Sequence, residues 1–357
     1  MGIGGQSPPY ENTRMYQTPL FLGVDVGGQS IKAGVVDDTG RPLSSVDVPT
    51  EAYKGQEHGL RQMVLAAERA VAGARLAMTD IAGIGVATPG LMDIHAGIII
   101  DPPNLRPWKN VPVRQYVQDT TGRLTTFQND ANAAAYGEFW VGAGRGCKSM
   151  VLFTLGTGIG GGIILDDIIV EGAHSHGAEL GHIIIEMTNG RMCGCGYPGH
   201  LEAYASARSI VKRAREALAQ AKQPSQLAAL LHQDSGPQAS KPLSDAEEET
   251  LDARYAGQIF QLADQGDALA LQLVDETAYY LAVGAACMMH TINPEMVIYG
   301  GGMIAAGPGF LARIQAHVKK LAFPIPAERT IIRYAELGPN AGFIGAAGCA
   351  RRAMLRK

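Results

Sequence analysis

Glycine clusters beside apolar segments are the feature that most constrains the fold of this chain. They stand at 27–28, 156–162 and 300–302, and the middle cluster has five glycines in seven positions. Each follows or interrupts an apolar run typical of a β-strand. A Gly-Gly β-turn is the commoner use of a single cluster. Several clusters at strand ends favour a fold whose backbone approaches a polyphosphate from more than one side.

The apolar segments alternate between strand and helix patterns. Strands are predicted at 21–26, 30–36, 43–48, 81–87, 124–128, 150–155, 159–165, 296–299 and 330–334. Helices are predicted at 59–78, 131–140 and 341–354, and the chain after residue 204 is mostly helical. The polar stretch 223–249 is predicted to be a surface insertion. This pattern predicts an α/β protein and is compatible with two similar halves, although no internal repeat is visible.

Composition limits the class of protein. With 357 residues and 46% hydrophobic content, the chain is long enough to fill the cores of two domains. A net charge of −4 gives no basic surface for nucleic acid. The five cysteines, an odd number, argue against a disulfide framework and for a reducing compartment. No segment has the pattern of a signal peptide or a membrane span, so we expect a cytoplasmic protein that acts on small molecules.

A short loop combines metal donors with carboxylates. Cys193 and Cys195 are spaced as C-x-C, and His200 follows five residues later. His182 stands upstream, so the four donors can close around a zinc ion, with Glu179 and Glu202 at the edges of the loop. From the C-x-C spacing alone, two idle thiols in a glycine-rich turn are about as probable as zinc.

The motifs of this chain together resemble the ROK family of bacterial sugar kinases and sugar-responsive repressors. The family pattern runs C-x-C-G-x-x-G-C-x-E after E-x-G-H, and here His200 replaces the third cysteine. A D-x-G-G element begins at Asp25, L-G-T-G-x-G at Leu155, and N-D-A-N-A-A at Asn129. The resemblance covers most of the chain from Leu20 to Met354. It implies an actin-like, ribonuclease H-like two-domain ATPase fold with the active site in the interdomain cleft.

The resemblance also implies domain boundaries. Residues 1–19 would form an N-terminal tail. Residues 20–128 together with 339–357 would form the smaller α/β domain. Residues 129–338 would form the larger one, which carries the zinc loop 182–200 and the insertion 223–249.

Roles of single residues follow from the same resemblance. Asp130 would be the catalytic base. The sugar would be bound by Asn104, Asn129, Asp130, Glu179, His182 and Glu202, while structural zinc would be bound by His182, Cys193, Cys195 and His200. Asp25 would orient hydrated Mg²⁺. The nucleotide would contact Asp25, Gly27, Gly28, Gln29, Gly156, Thr157, Gly158, Gly300, Gly301 and Gly302. The family usually has Thr at the position of Gln29.

Some of these residues also have ordinary structural explanations. From the residues alone, the leading interpretation of Asp130 is a helix N-cap, because it stands at a strand-to-helix junction. Asn104 would make an Asx turn, and Glu202 would begin a helix. Lys32 is expected to be a solvated strand residue rather than a phosphate ligand.

The resemblance implies an ATP-dependent kinase that converts a hexose, glucose above all, to its 6-phosphate. Kinases for fructose, mannose or N-acetylated hexosamine share the same hydroxyl ligands and stay open as alternatives. A non-catalytic sugar sensor is also compatible with the motifs. A repressor is disfavoured, because only about twenty residues precede the first strand and several are Gly, Pro or Asn. A homodimer is the expected assembly, with no nucleic-acid or membrane partner.

Overall fold

The computed structural model describes residues 18–220, 225–232 and 245–356. Within those ranges, two five-stranded sheets form the framework. The strands of the first sheet are β1 (Leu20–Val26), β2 (Ser30–Val36), β3 (Val46–Pro49), β4 (Ile81–Thr88) and β7 (Thr125–Asn129). Its order is β3-β2-β1-β4-β7, in which β1, β2 and β3 are antiparallel and β4 and β7 run parallel to β1. A small separate hairpin consists of β5 (Leu91–Asp93) and β6 (Ile98–Asp101).

The second sheet repeats this topology. Its strands are β8 (Ser149–Leu155), β9 (Ile159–Leu165), β10 (Ile168–Ile169), β11 (Met296–Gly300) and β12 (Ile331–Tyr334). They are ordered β10-β9-β8-β11-β12, again with an antiparallel meander followed by two parallel strands. The sequence pattern was compatible with two similar halves but showed no repeat. The shared strand order of the two sheets shows that the halves are present.

Helices cover the outer faces of both sheets. The first sheet carries α1 (Gln56–Gly73) and α2 (Val113–Thr121). The helices that accompany the second sheet are α4 (Glu202–Ala205), α5 (Ala207–Gln220), α6 (Gln226–His232), α7 (Asp245–Asp264), α8 (Ala268–Thr291), α9 (Pro308–Leu321) and α10 (Pro324–Arg329). Each half has its own apolar core, which includes Met63 with Ile84 in the first and Phe153 with Leu281 in the second. None of the helices in the described ranges is long and apolar enough to cross a membrane.

Two further helices, α3 (Asp130–Val141) and α11 (Ala341–Leu355), pack against each other between the halves. Their backbones approach closely because glycine stands at the contact. A Cβ on Gly345 of α11 would lie 1.7 Å from the carbonyl oxygen of Ala133 in α3. The same helix meets the first sheet at Gly23 and Gly85, where a Cβ would lie 1.7 Å from the carbonyl oxygens of Phe343 and Ala346. Any side chain at these positions would push α11 away from its neighbours.

Most strands lie within a few residues of their predicted positions, and the differences have physical causes. Helix α1 spans Gln56–Gly73 rather than 59–78, because the chain turns at Arg75, whose φ is +59°, and residues 78–80 then form a separate 3₁₀ turn before β4. The third strand begins at Val46 rather than at residue 43, since Leu43 pairs with Val35 only through an isolated backbone bond.

The prediction that 223–249 is a surface insertion is wrong for helix α6, whereas Glu247 and Glu248 at the start of α7 are exposed as predicted. Helix α6 buries Leu227, Leu230 and Leu231 in the core of the second half. These leucines have the i, i+3, i+4 spacing of an amphipathic helix, but the many polar residues of the segment favoured a surface loop in the sequence analysis. Residues 233–244 of the predicted insertion and residues 1–17 of the predicted tail lie outside the described ranges.

Candidate active site

A cavity of about 630 Å³ lies between the two halves and gathers the residues predicted to bind the sugar. It is lined by Asn104, Asn129, Asp130, Glu179, His182 and Glu202. They come from separate elements: a 3₁₀ turn in the first half, the junction of β7 and α3, and the loop between β10 and α5 in the second half. The structure thus brings together six side chains that are up to about a hundred positions apart in the sequence.

Asn129, not Asp130, caps helix α3. The side-chain oxygen of Asn129 accepts a hydrogen bond of 3.1 Å from the backbone N–H of Asn132. Asp130 is the first helical residue, and its Oδ1 accepts a hydrogen bond of 2.8 Å from the adjacent N–H of Ala131. The N-cap interpretation of Asp130 is therefore wrong. Because Asn129 satisfies the helix end, the Asp130 carboxylate is not committed to the cap, and it lines the cavity.

Carboxylates converge at this point. Burial raises the pKa of Asp130, and the nearby charge of Glu179 raises it further. Burial and the charge of Asp130 raise the pKa of Asp25 to about 7, although Lys32 acts in the opposite direction. A site that crowds acidic groups in this way favours a bound cation or a proton-accepting role for one of them.

A second cavity, of about 670 Å³, continues from the first. It is lined by Asp25, Gly27 and the three glycines Gly300, Gly301 and Gly302, and it shares Asp130 with the sugar-side cavity. The carboxylate of Asp25 lies against the start of α11, where a Cβ on Gly342 would be 2.0 Å from Oδ2. Asp130 is thus the carboxylate at which the two cavities meet.

The remaining residues of the first glycine element, Gly28 and Gln29, line none of these cavities. Gly28 and Gln29 are exposed at the tip of the β1–β2 hairpin. Gly28 lies close to the sugar-side loop, since a Cβ there would be 3.1 Å from the carbonyl oxygen of Asn104. Lys32 lies in β2 and lines none of these cavities; its Nζ donates to the carbonyl of Pro339 at 3.2 Å and is 3.8 Å from Asp47.

The middle glycine cluster has two separate purposes. Gly160, Gly161 and Gly162 belong to β9, and a Cβ on any of them would lie within 2.6 Å of the side chain of Thr154, Leu180 or Ala135, respectively. Those three glycines serve packing, which the sequence interpretation did not separate from ligand approach. A Cβ on Gly156, by contrast, would meet nothing within 4 Å.

A third cavity, of about 260 Å³, opens beyond Gly156 and Gly302. Its apolar wall includes Met303 and, from helix α7, Ala256 and Phe260. Another residue of α7, Glu249, accepts a hydrogen bond of 2.6 Å from the hydroxyl of Thr157. These α7 residues were missed from the sequence. The pair Ala256-Gly257 was the available signal, because small residues on a helix allow close approach to a flat ligand.

The four predicted zinc ligands form one cluster. Their donor atoms all lie within 4.8 Å of one another. The Nδ1 atoms of His182 and His200 are 3.2 Å apart, Sγ of Cys195 is 3.2 Å from Nδ1 of His200, and Sγ of Cys193 is 3.9 Å from Nδ1 of His182. Zinc–nitrogen bonds of about 2.0 Å and zinc–sulfur bonds of about 2.3 Å give tetrahedral edges of about 3.3 to 3.8 Å. The donor set and its spacing therefore fit a zinc ion.

Glu202 joins this cluster to the rest of the site. Its Oε1 accepts a contact of 3.4 Å from the thiol of Cys193, and its Oε2 accepts a hydrogen bond of 2.9 Å from the backbone N–H of Ile159. Burial raises the pKa of the Cys193 thiol to about 12. A metal ion would reverse this preference, because a coordinating thiol is deprotonated.

Two sheets of matching topology with a polar cavity between them define a protein of the actin-like, ribonuclease H-like class. The ROK family model matches residues 21–353, and the chain belongs to the ROK family. The predicted family and fold class are thus confirmed.

Individual relatives agree with this assignment. A glucokinase from Halalkalibacterium halodurans is 35% identical over 325 residues, which make up 91% of this chain and 93% of that protein. The crystal structure of a ROK hexokinase from Thermus thermophilus is similar with a TM-score of 0.77 at 32% identity, covering 95% of this chain and 100% of the other. A ROK family glucokinase from Streptomyces griseus, in complex with glucose and AMPPNP, gives a TM-score of 0.72 at 32% identity, covering 93% and 99%.

Proposed function

We propose that this protein is an ATP-dependent hexose kinase that converts glucose to glucose 6-phosphate. The observation that carries the proposal is the position of Asp130, which lines both the cavity of the predicted sugar ligands and the cavity of the glycine elements. A phosphoryl group passes between two substrates at such a junction. The likeness to glucokinases, one of them crystallised with glucose and an ATP analogue, supports the choice of substrates.

In this mechanism Asp130 accepts the proton of the primary sugar hydroxyl as that oxygen attacks the γ-phosphate in line. Asn129 lines the same cavity beside Asp130 and holds a neighbouring hydroxyl. Asn104, Glu179, His182 and Glu202 orient the other hydroxyls. These contacts hold the sugar so that its primary hydroxyl lies close to the γ-phosphate and in line with it, which lowers the entropic cost of the reaction.

The nucleotide lies along the glycine elements in this proposal. Its phosphates approach Gly27, Gly156 and Gly158, and its adenosine side lies against Gly300–Gly302 and the apolar wall of α7. The acidic groups around Asp25 fit a hydrated Mg²⁺, which would neutralise phosphate charge.

Zinc is proposed as a structural ion held by His182, Cys193, Cys195 and His200. The Nδ1 of His182 faces the cluster, so its other ring nitrogen is available to the sugar-side cavity that the residue lines. The metal would fix the tautomer and the orientation of this imidazole.

Three further predictions from the sequence stay proposals. We divide the chain into the smaller domain 20–128 with 339–357 and the larger domain 129–338. A cytoplasmic location is supported by the five free thiols. A homodimer is the assembly expected from the family resemblance.

The direct test is a coupled ADP-release assay over glucose, fructose, mannose and N-acetylated hexosamines, with and without Mg²⁺. We expect sugar-dependent ADP release that requires Mg²⁺ and has its highest kcat/KM with glucose. Preference for another hexose would correct the substrate, and ATP turnover that is indifferent to every sugar would contradict the kinase proposal.

Gly156→Ala tests the nucleotide position. Because a Cβ at Gly156 meets no protein atom within 4 Å, we expect an unchanged melting temperature. We expect the KM for ATP to rise on the order of tenfold, since the methyl group would occupy space needed by the ligand. Gly309→Ala, which is equally open but lies on α9, is the matched control. Equal KM values in both variants would remove Gly156 from the phosphate loop.

Asp130→Asn tests the base. We expect kcat to fall by about 10² or more with sugar binding retained, because a general base contributes that much. The raised pKa of Asp130 means that its ionised form costs folding free energy above that pKa, so we expect the variant to melt at a higher temperature at neutral pH. In the parent, kcat should fall as the pH drops through a pKa above the usual range of aspartate, about 3.9.

The exposed Asp119 on α2 supplies the control for this experiment, since Asp119→Asn removes one carboxylate outside the cavity. Near-normal turnover of Asp130→Asn would exclude Asp130 as the base.

Metal analysis by mass spectrometry tests the zinc proposal. We expect one zinc per chain, retained in His200→Cys, weakened in His200→Ala and lost in Cys195→Ser. Cys287→Ser, which removes an exposed thiol from α8, should keep its zinc. Zinc removal should impair glucose binding more than ATP binding. A fully active parent enzyme without zinc would show that hydrogen bonds and packing hold the loop.

A further inference from the structure

A cavity of about 280 Å³ lies apart from the active site, between edge strands of the two sheets. One wall is formed by the edge strand β7 of the first sheet, and the opposite wall by β10 of the second. The C-terminal turns of α11 close one side. None of its lining residues belongs to the three cavities of the candidate active site.

Three arginines line this cavity: Arg114, Arg352 and Arg356. Arg352 is the most deeply placed, with 16% of its side chain exposed. Its Nε is buried and has no hydrogen-bond partner within the described ranges. The nearest acid, Asp167, is 3.6 Å from that Nε and is shared with Arg356, at 3.5 Å. Because this Nε is not accessible, the donors of Arg352 that are open to a ligand are its terminal nitrogens, which make no hydrogen bond within the described ranges.

The other charged groups that the structure describes around the cavity do not supply a hydrogen-bond acceptor to Arg352 beyond the contact with Asp167. The guanidinium of Arg114 donates to the backbone carbonyls of Ile94, His95 and Ala96. Asp167 also accepts a hydrogen bond of 2.8 Å from the hydroxyl of Tyr136. Glu171 is the acidic lining residue, and its Oε1 accepts a hydrogen bond from Gln128. The lining thus has three fixed positive charges and one carboxylate, while Asp167, outside the lining, pairs with Arg352 and Arg356 and accepts from Arg356 through its carbonyl at 3.3 Å.

We propose that this cavity binds a small metabolite through a phosphate or carboxylate group. Both groups present the two-oxygen edge that a guanidinium fork recognises. The apolar residues Ile94, Phe127 and Ile169 would contact the body of the ligand. The volume lies near the lower end of the range for small-molecule pockets, about 300 to 1,000 Å³, which restricts the ligand to a compact molecule.

Gln128 connects this cavity to the candidate active site. Its Nε2 donates to Glu171 at 2.7 Å. Its Oε1 accepts hydrogen bonds from the backbone N–H of Asn129, at 2.8 Å, and from the side chain of Asn132, at 3.3 Å. An anion that displaces Glu171 would therefore disturb the residues that hold Asn129 and Asp130. We expect anion binding to change the KM for the sugar, a consequence that rests on the proposed kinase function.

The binding experiment is isothermal titration with inorganic phosphate and, separately, with malonate. The protein is saturated with glucose, Mg²⁺ and AMPPNP, so that anions cannot bind in the candidate active site. We expect at least one probe to bind the parent, and Arg352→Gln to weaken that binding by about tenfold or more, as expected for loss of charge-assisted hydrogen bonds. Arg329→Gln is the control, because Arg329 is an exposed arginine of α10 that lines none of these cavities.

A second variant guards against a folding defect. Arg356 has 51% of its side chain exposed, so Arg356→Gln should fold normally and lower the affinity by a smaller factor. Binding that neither probe shows, or that both variants leave unchanged, would overturn the site. Two results together would keep the site but refute the coupling through Gln128. The first is loss of anion binding in Arg352→Gln, and the second is a sugar KM of the parent that is the same with and without the anion. Since the titration does not measure turnover, it decides the site even where the kinase proposal fails.

Discussion

The contact between α3 and α11 is the constraint on which the rest of this structure depends. Gly137 of α3 and Gly345 of α11 face each other, and a Cβ on Gly137 would lie 2.8 Å from the carbonyl oxygen of Ala341. Overpacking a core contact by a methyl group typically costs about 1 to 3 kcal/mol, and here the obstructing atoms are backbone. The N-terminus of α3 carries Asp130, and the N-terminus of α11 faces Asp25. The separation of these two helices therefore sets the geometry of the acidic centre.

Without a bound cation, the ionised carboxylates of this acidic centre lower the free energy of unfolding. Burial raises the pKa values of both Asp25 and Asp130; the charge of Asp130 adds to the shift of Asp25, and the charge of Glu179 adds to the shift of Asp130, so the ionised forms oppose folding at neutral pH. The two helix backbones and the sheets around them hold the carboxylates in place regardless. Local cost of this kind is expected where a site is built for a ligand that supplies the opposite charge.

Much of the framework was accessible from the sequence, because strand periodicity and glycine turns are local signals. The hairpin of β8 and β9 was predicted with its turn at the middle glycine cluster, and the six sugar-side residues were predicted to share one site. The helix cap was assigned to the wrong neighbour, since Asn129 and Asp130 are equally good caps and only the chain geometry selects one. The buried face of α6 and the contact of Glu249 with Thr157 depend on packing between distant segments, which no local pattern reports.

A glycine in these loops can be needed for a protein contact as well as for a ligand, and the sequence does not distinguish the two because the contacts come from distant segments. A Cβ on Gly158 would lie 2.5 Å from Oε2 of Glu202, so a side chain at this position would displace a protein carboxylate even without a ligand. Glu202 in turn contacts Cys193 and the backbone of Ile159, which makes one carboxylate common to the metal cluster, the glycine loop and the sugar-side cavity. A substitution at His200 that moved Cys193 would alter the contact of Cys193 with Glu202. Because Glu202 also accepts the backbone N–H of Ile159, the position of the glycine loop depends on the same carboxylate as the Cys/His cluster.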